Sequence, residues 1–375
     1  MQKLRILELF AGIGACSKAL ERLKIPHKIV GAVEIDKYAI QSFNAIHNTD
    51  FEPQDITTWD KNIDVDLIMH GSPCQDFSLA GKQAGGDKDS GTRSSLMYET
   101  IRIVEKLKPK YVVWENVKNL LSKKHRHNFD AYLQTMEQLG YNNYYQVLNA
   151  KDYGIPQSRE RVFTISIRND IDKDFHFPEK KPLELRLKDL LDANVDEKYY
   201  LSDAQVNRIK ISTYTSNNRR IQKKDIAPTQ STQCGSTTSS STVLIRNKSL
   251  RETLEQNNIE KDISFVDSYN RNIRKDDLSG TITTRVSDSN NTFIAIKPDI
   301  GCVTTDLRIR KLTPKECWRL MGFDDVDFKK AEKINSNTQL YKQAGNSIVV
   351  NVLEAIFKEL FSEYIQNLDK WSDLD

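Results

Sequence analysis

Six short apolar runs recur in the first 170 residues, at 4–9, 29–33, 66–69, 111–114, 144–148 and 162–167. Each is too short for a typical helix and ends in a glycine-bearing or acidic turn, the pattern of strands buried in a sheet. Between them, helical spacing begins after Gly14 through Leu20 and Leu23, and returns at 129–139 until Gly140 stops it. Strand and helix in alternation predict a doubly wound α/β sheet whose functional residues lie at the carboxyl ends of the strands. A chain of 375 residues exceeds what one core usually serves, so two lobes are expected.

The strand ends carry the chemistry. The first run leads into Phe10-Ala11-Gly12-Ile13-Gly14, a strand–turn–helix whose glycines let a ligand approach the backbone. Ser17 stands where a dinucleotide fingerprint would place its third glycine, which argues against a nicotinamide cofactor. The second run ends in Glu34-Ile35-Asp36, where a carboxylate could accept from ribose hydroxyls or cap the helix starting near Lys37. A third acidic strand end is expected at Asp55-Ile56. The fourth strand delivers Gly71-Ser72-Pro73-Cys74-Gln75, a thiol behind a proline that fixes the backbone. After it, residues 78–95 form a glycine-rich stretch with Lys82, Gln83 and Arg93, which reads as a mobile lid with bases for phosphates. The next strands lead to Glu115-Asn116-Val117 and to Gln157-Ser158-Arg159-Glu160-Arg161.

Composition narrows the classes. Five scattered cysteines make neither a disulfide framework nor CxxC metal spacing, so a reducing cytoplasm is expected and no metal site. No apolar run approaches the ~20 residues of a membrane span, and no signal peptide is expected at Met1-Gln2-Lys3. A net charge of +3 confines any nucleic-acid surface to a local patch.

Taken together, residues 4–167 and 308–360 resemble the cytosine-C5 DNA methyltransferase family, in motif order as well as content. The carriers are residues 10–14, 71–75, 115–117 and 157–161, then the 310–323 stretch from Arg310-Lys311-Leu312-Thr313-Pro314 to Phe323, and Gln343-Ala344-Gly345-Asn346-Ser347. The resemblance implies a Rossmann-like, S-adenosylmethionine-dependent methyltransferase sheet with a smaller, mostly β/loop target-recognition domain. It implies catalytic residues Cys74, Glu115, Arg159 and Arg161. Free cysteine titrates near ~8.5, so Cys74 would attack cytosine C6 as an assisted thiolate. Glu115 would donate a proton to N3, and Arg161 would hold O2 and orient Glu115, with Arg159 in support. For the cofactor it implies Phe10 on adenine, Gly12 and Gly14 for backbone access, and Glu34 on the ribose. Asp55 and Ile56 would meet the adenine edge, and Pro73, Asn346 and Ser347 the methionine end, with S-adenosylhomocysteine as product. Ile35 stands where many relatives carry an aromatic residue.

From about 177 the alternation fades. Residues 204–224 carry six basic side chains and no acid, followed by a Ser/Thr-rich stretch at 231–242. The β-branched runs at 242–245 and 292–296 predict short strands. Residues 214–232 parallel 269–284, which fits either two copies of a loop–strand unit or shared turn chemistry in two hairpins. In the first case Arg219, Arg220, Arg271 and Arg274 would face the DNA major groove. Apolar spacing at 349–360 predicts a closing helix on the first lobe. The expected domains are 1–177 (catalytic), 178–325 (target recognition) and 326–375 (completing the catalytic domain). The expected activity is methyl transfer to a flipped cytosine in a short duplex DNA sequence, in a monomer, with room for a separate cognate restriction endonuclease. Transfer RNA as substrate, or a catalytically inactive DNA-binding homologue, are the alternatives; the long basic insert favours DNA, and the presence of Cys74, Glu115 and Arg161 favours activity.

Overall fold

The computed structural model describes residues 3–73, 96–200, 202 and 310–366, together with the backbone of strands at 210–212, 247–249, 263–267, 272–274, 292–296 and 308–309. Cys74, Lys82, Gln83, Arg93, Arg219, Arg220 and Arg271 lie outside the described residues, as do the 242–245 run and most of the two parallel segments.

The predicted alternation forms one six-stranded sheet, ordered β2-β1-β3-β4-β6-β5. Its strands are β1 (Leu4–Leu9), β2 (His27–Val33), β3 (Leu67–His70), β4 (Tyr111–Val117), β5 (Tyr141–Asn149) and β6 (Glu160–Arg168). The first four are parallel, while β6 runs antiparallel between β4 and β5. The reversal matters for function. An antiparallel β6 begins at the edge where the parallel strands end, so residues 157–161 lie beside the end of β4.

The strands read as near-continuous apolar runs because both faces are covered. Ile6, Leu67, Met69, Val113 and Ile165 pack on one side with α1 (Ala15–Arg22) and the C-terminal helix α8 (Val350–Leu360). Leu7, Leu9, Ile68, Val112 and Trp114 pack on the other with α3 (Met97–Leu107) and α4 (Arg126–Gln138). Each such side chain taken fully from water contributes about 1.5–3 kcal/mol. His70 is buried among them, stacked on the Trp114 ring at 5.6 Å, and burial pushes its imidazole down to about 3, so it stays neutral.

One expected strand is absent. Around Asp55 the chain turns instead: the Asp55 carboxylate accepts from the Thr57 amide and hydroxyl, both at 2.9 Å. A side chain that bonds the backbone two residues on favours a turn over a strand. Ile56 still enters the core.

Between this lobe's two parts the described backbone consists of strands: β7 (Lys210–Ser212) paired with β8 (Asn247–Ser249), and an antiparallel sheet ordered β10-β9-β11-β12 that ends in β12 (Arg308–Lys311). There β9 is Ile263–Asp267, β10 Asn272–Arg274 and β11 Thr292–Ile296, so the second predicted β-branched run is a strand. Three helices follow: α5 (Pro314–Arg319), α6 (Asp325–Glu332) and α7 (Asn337–Asn346). Leu187 and the segment from Leu312 to Phe323 share the core of Ile6 and α8.

Candidate active site

The first wall of the site is made by backbone conformation. At the end of β1, Phe10, Gly12 and Gly14 all take positive φ (54°, 56° and 82°), turning the chain sharply into α1. A Cβ at Gly12 would meet nothing within 4 Å, so its surface is open. A Cβ at Gly14 would lie 2.1 Å from His47 Nε2, so that glycine serves helix packing.

The two acids after β2 divide the roles that the sequence left open. Asp36 caps α2 (Lys37–His47), accepting from the Tyr38 amide at 2.9 Å. Glu34 reaches back to the glycine turn: Oε2 accepts from the Gly12 amide at 3.0 Å and Oε1 from the Asp36 amide at 2.8 Å. Burial raises its carboxyl above the ordinary value, against those bonds.

The second wall is made by side chains. Arg161 pairs with Val117 across β6 and β4, which puts Glu115 two positions away on the same face. The long arginine spans that diagonal, and its Nε lies 3.1 Å from Glu115 Oε1. Gln157, fully buried, donates through Nε2 to the Leu320 carbonyl at 2.8 Å. Arg159, also buried, donates through Nη2 to the carbonyls of Gly345 at 3.3 Å and Ser347 at 2.9 Å. The paired arginines therefore face different partners.

Upstream of the thiol, Ser72 is held from β4. Its Oγ accepts from Trp114 Nε1 at 3.0 Å, and its carbonyl from Asn116 Nδ2 at 3.3 Å. Pro73, half-buried, follows from this anchored residue. Among the described cysteines, Cys16 and Cys317 are buried, and burial pushes both thiols well up. Neither resembles an activated nucleophile.

One cavity joins the two walls. Phe10, Gly12, Glu115, Asn346 and Ser347 line it, with Gly71 at the end of β3. Glu8 lines it too, a residue that the sequence reading missed. It is the one acid in the apolar run 4–9, which was the available signal. Glu8 accepts from the Ser17 amide at 3.1 Å and from the Ser17 hydroxyl, and burial pushes its carboxyl up to about 7. Ser17, conspicuous in the sequence as a missing glycine, is thus a buried anchor. Gly14, Glu34, Asp55, Ile56 and Pro73 are not on the cavity lining, although Glu34 is tied to it through Gly12.

A larger cavity beside α1, α2 and α6 holds none of these residues. Its Lys18 is ringed by Glu21, Asp324 and Asp327, all within 3.1 Å, a self-satisfied ion cluster. Among the described residues no His/Cys/Asp/Glu group could hold a metal, and no helix is long and apolar enough to cross a membrane.

The Rossmann-like sheet thus brings a glycine turn, an acid after β2 and a Glu–Arg pair to the carboxyl end of its parallel strands. The fold matches that of a DNMT2 from Spodoptera frugiperda (TM-score 0.66, 21% identity, 96% of this chain and 100% of that one). The sequence carries the family. The model for C-5 cytosine-specific DNA methylases matches residues 4–362, and the chain belongs to that family. It is 37% identical to the type II methyltransferase M2.ScrFI of Lactococcus lactis subsp. cremoris, over 96% of this chain and 99% of that protein. It is 32% identical to the orphan methyltransferase M.SPRI of Bacillus phage SPR, over 97% and 99%. Against the type II methyltransferase M.HhaI of Haemophilus parahaemolyticus the identity is 33%, over 94% and 93%.

Proposed function

We propose that this DNA cytosine-C5 methyltransferase acts on a flipped cytosine in duplex DNA through a covalent Cys74–C6 adduct, with S-adenosylmethionine as methyl donor. The observation that carries the reading is the single cavity in which residues from four distant stretches meet: Phe10 and Gly12, Gly71, Glu115, and Asn346 with Ser347.

The residues fit the donor. Gly12 leaves an open surface at a positive φ, and Glu34 is an acceptor fixed beside it. Phe10 offers an aromatic face, and Gly12 and Asn346 offer polar groups. Bound S-adenosylmethionine would supply a methyl group on a sulfonium, a good leaving group. Ser72, two residues before Cys74, is held from β4 by Trp114 and Asn116. A thiolate adding at C6 pushes electrons onto the ring, and Glu115 donates its proton to N3 so that the ring can take them. C5 then becomes the nucleophile. Arg161 holds Glu115 and would meet the base's O2. After transfer, solvent takes the C5 proton, the thiolate is expelled, and N3 returns its proton to Glu115, which restores the aromatic ring. Extrusion of the base from the duplex costs a few kcal/mol.

In place of boundaries at 177 and 325, we draw the inner boundaries of the catalytic lobe near 192 and 312, because Leu187, Leu191 and Leu312 pack with its core. The recognition lobe lies between them, with Arg274 at the end of β10. We read the protein as a cytoplasmic monomer, able to work beside a separate endonuclease.

The test is base-resolution mapping of 5-methylcytosine in a methylation-free host expressing the protein or Cys74→Ser. Methylation at one short sequence, lost in the variant, is expected. Methylation that survives in Cys74→Ser would remove the nucleophile assignment, and an unmethylated genome with soluble wild-type protein would remove the substrate.

A further inference from the structure

The 157–161 segment places three polar side chains in three different settings. Arg161 is on the Glu115 carboxylate, whereas Gln157 and Arg159 are on carbonyls of the chain that returns after the recognition lobe. We propose that Arg159 is a positioning residue for the cofactor: its guanidinium holds the Gly345-Asn346-Ser347 backbone against the cavity, while Arg161 alone serves the base.

Geometry and charge support this division. Gly345 and Ser347 bracket Asn346 at the end of α7, where the last carbonyls of a helix lack helical partners and carry the negative end of its dipole. One nitrogen of a buried cation, Arg159 Nη2, meets both the Gly345 carbonyl and that of Ser347, the residue that follows the helix. The Arg159 amide donates to Asn149 Oδ1 at 3.0 Å, so the arginine is anchored from β5 at its own backbone. Asn346, between the two held carbonyls, is exposed and lines the cavity with Phe10 and Gly12. Arg159 thereby couples the turn that bears the base-binding arginine to the segment that bears the cofactor-facing asparagine, across 186 residues of sequence.

The inference rests on the reading of Asn346 and Ser347 as cofactor-facing, and the experiment separates the two. S-adenosylhomocysteine binding is measured by calorimetry for the wild type, Arg159→Lys and Arg161→Lys, with steady-state kinetics in both S-adenosylmethionine and DNA. Lysine keeps the charge but is shorter and loses the planar guanidinium that reaches both carbonyls. Arg159→Lys is expected to weaken S-adenosylhomocysteine by roughly tenfold, equivalent to about 1.4 kcal/mol. The kinetic loss should fall on the cofactor KM rather than on kcat. Arg161→Lys is expected to do the reverse, lowering kcat with the S-adenosylhomocysteine Kd unchanged. Asn149→Ala loosens the same anchor and leaves the guanidinium in place; it should weaken the product ligand in the same direction, by about threefold, on the order of 0.6 kcal/mol. An unchanged Kd in Arg159→Lys overturns the proposal, and Asn149→Ala decides if that variant does not fold. Wild-type protein that binds no S-adenosylhomocysteine would instead overturn the cofactor reading beneath it.

Discussion

The two walls of the cavity are built by different means. The first is local: residues 10–14 turn by their own dihedral angles, and Glu34 closes the turn from 22 residues away. The second is assembled across the insertion. Gln157 reaches 163 residues to Leu320, Arg159 reaches 188 to Ser347, and α7 is tied to α2 by Lys342 on Asp36 and Gln343 on the Tyr38 carbonyl. The first wall can form when strand and helix form. The second needs the chain to return, so its strength depends on buried polar bonds rather than on turn propensity.

The severest test of the second wall is Glu316→Ala. Arg310 and Glu316 are both buried, bonded at 2.8 Å through two nitrogens, and Glu316 also accepts from the Thr313 amide at 2.7 Å and the Asp192 amide at 2.8 Å. Removing one partner leaves a buried charge unpaired, at a cost of about 3–5 kcal/mol. Denaturant unfolding should report that loss; a change below ~1 kcal/mol would mean that the returning chain is not held by this pair.

Glu8→Gln probes the floor between the walls. A carboxyl raised by burial to about 7 contributes stability that is full below its ordinary value of 4.5 and is lost as pH rises through 7. In cofactor-free protein, the variant should therefore gain on the wild type between pH 5 and pH 8, by about 2–3 kcal/mol. A pH-independent difference would show that Glu8 does not titrate there.

Gly14→Ala sharpens the first wall. The new methyl meets His47 at a φ of 82°, and a strained left-handed residue costs about 1–3 kcal/mol. Unfolding should shift accordingly. If cofactor affinity falls further than stability, Gly14 shapes the turn for the ligand as well as for α2.

Much of the first wall was legible from residue order. The run 4–9 is β1 residue for residue, and the glycine turn and the acids after β2 stand where spacing put them. Asp55 misled because an acid beside the β-branched Ile56, Thr57 and Thr58 looks the same whether it ends a strand or bonds its own turn. Glu8 was overlooked because an apolar run conceals the one acid whose role depends on burial.

The residues of the second wall were also visible, as motifs, but their partners were not. Sequence alone determined the alternating fold, the glycine turn and the identity of the Glu115 and Arg161 side chains. Only the tertiary structure decided that Arg161 meets Glu115 across an antiparallel pair while Arg159 turns to the Gly345 and Ser347 carbonyls. The reason is physical: side-chain donors differ from residue to residue, but every residue carries the same carbonyl acceptor, so nothing in the sequence marks which carbonyl a buried arginine will find.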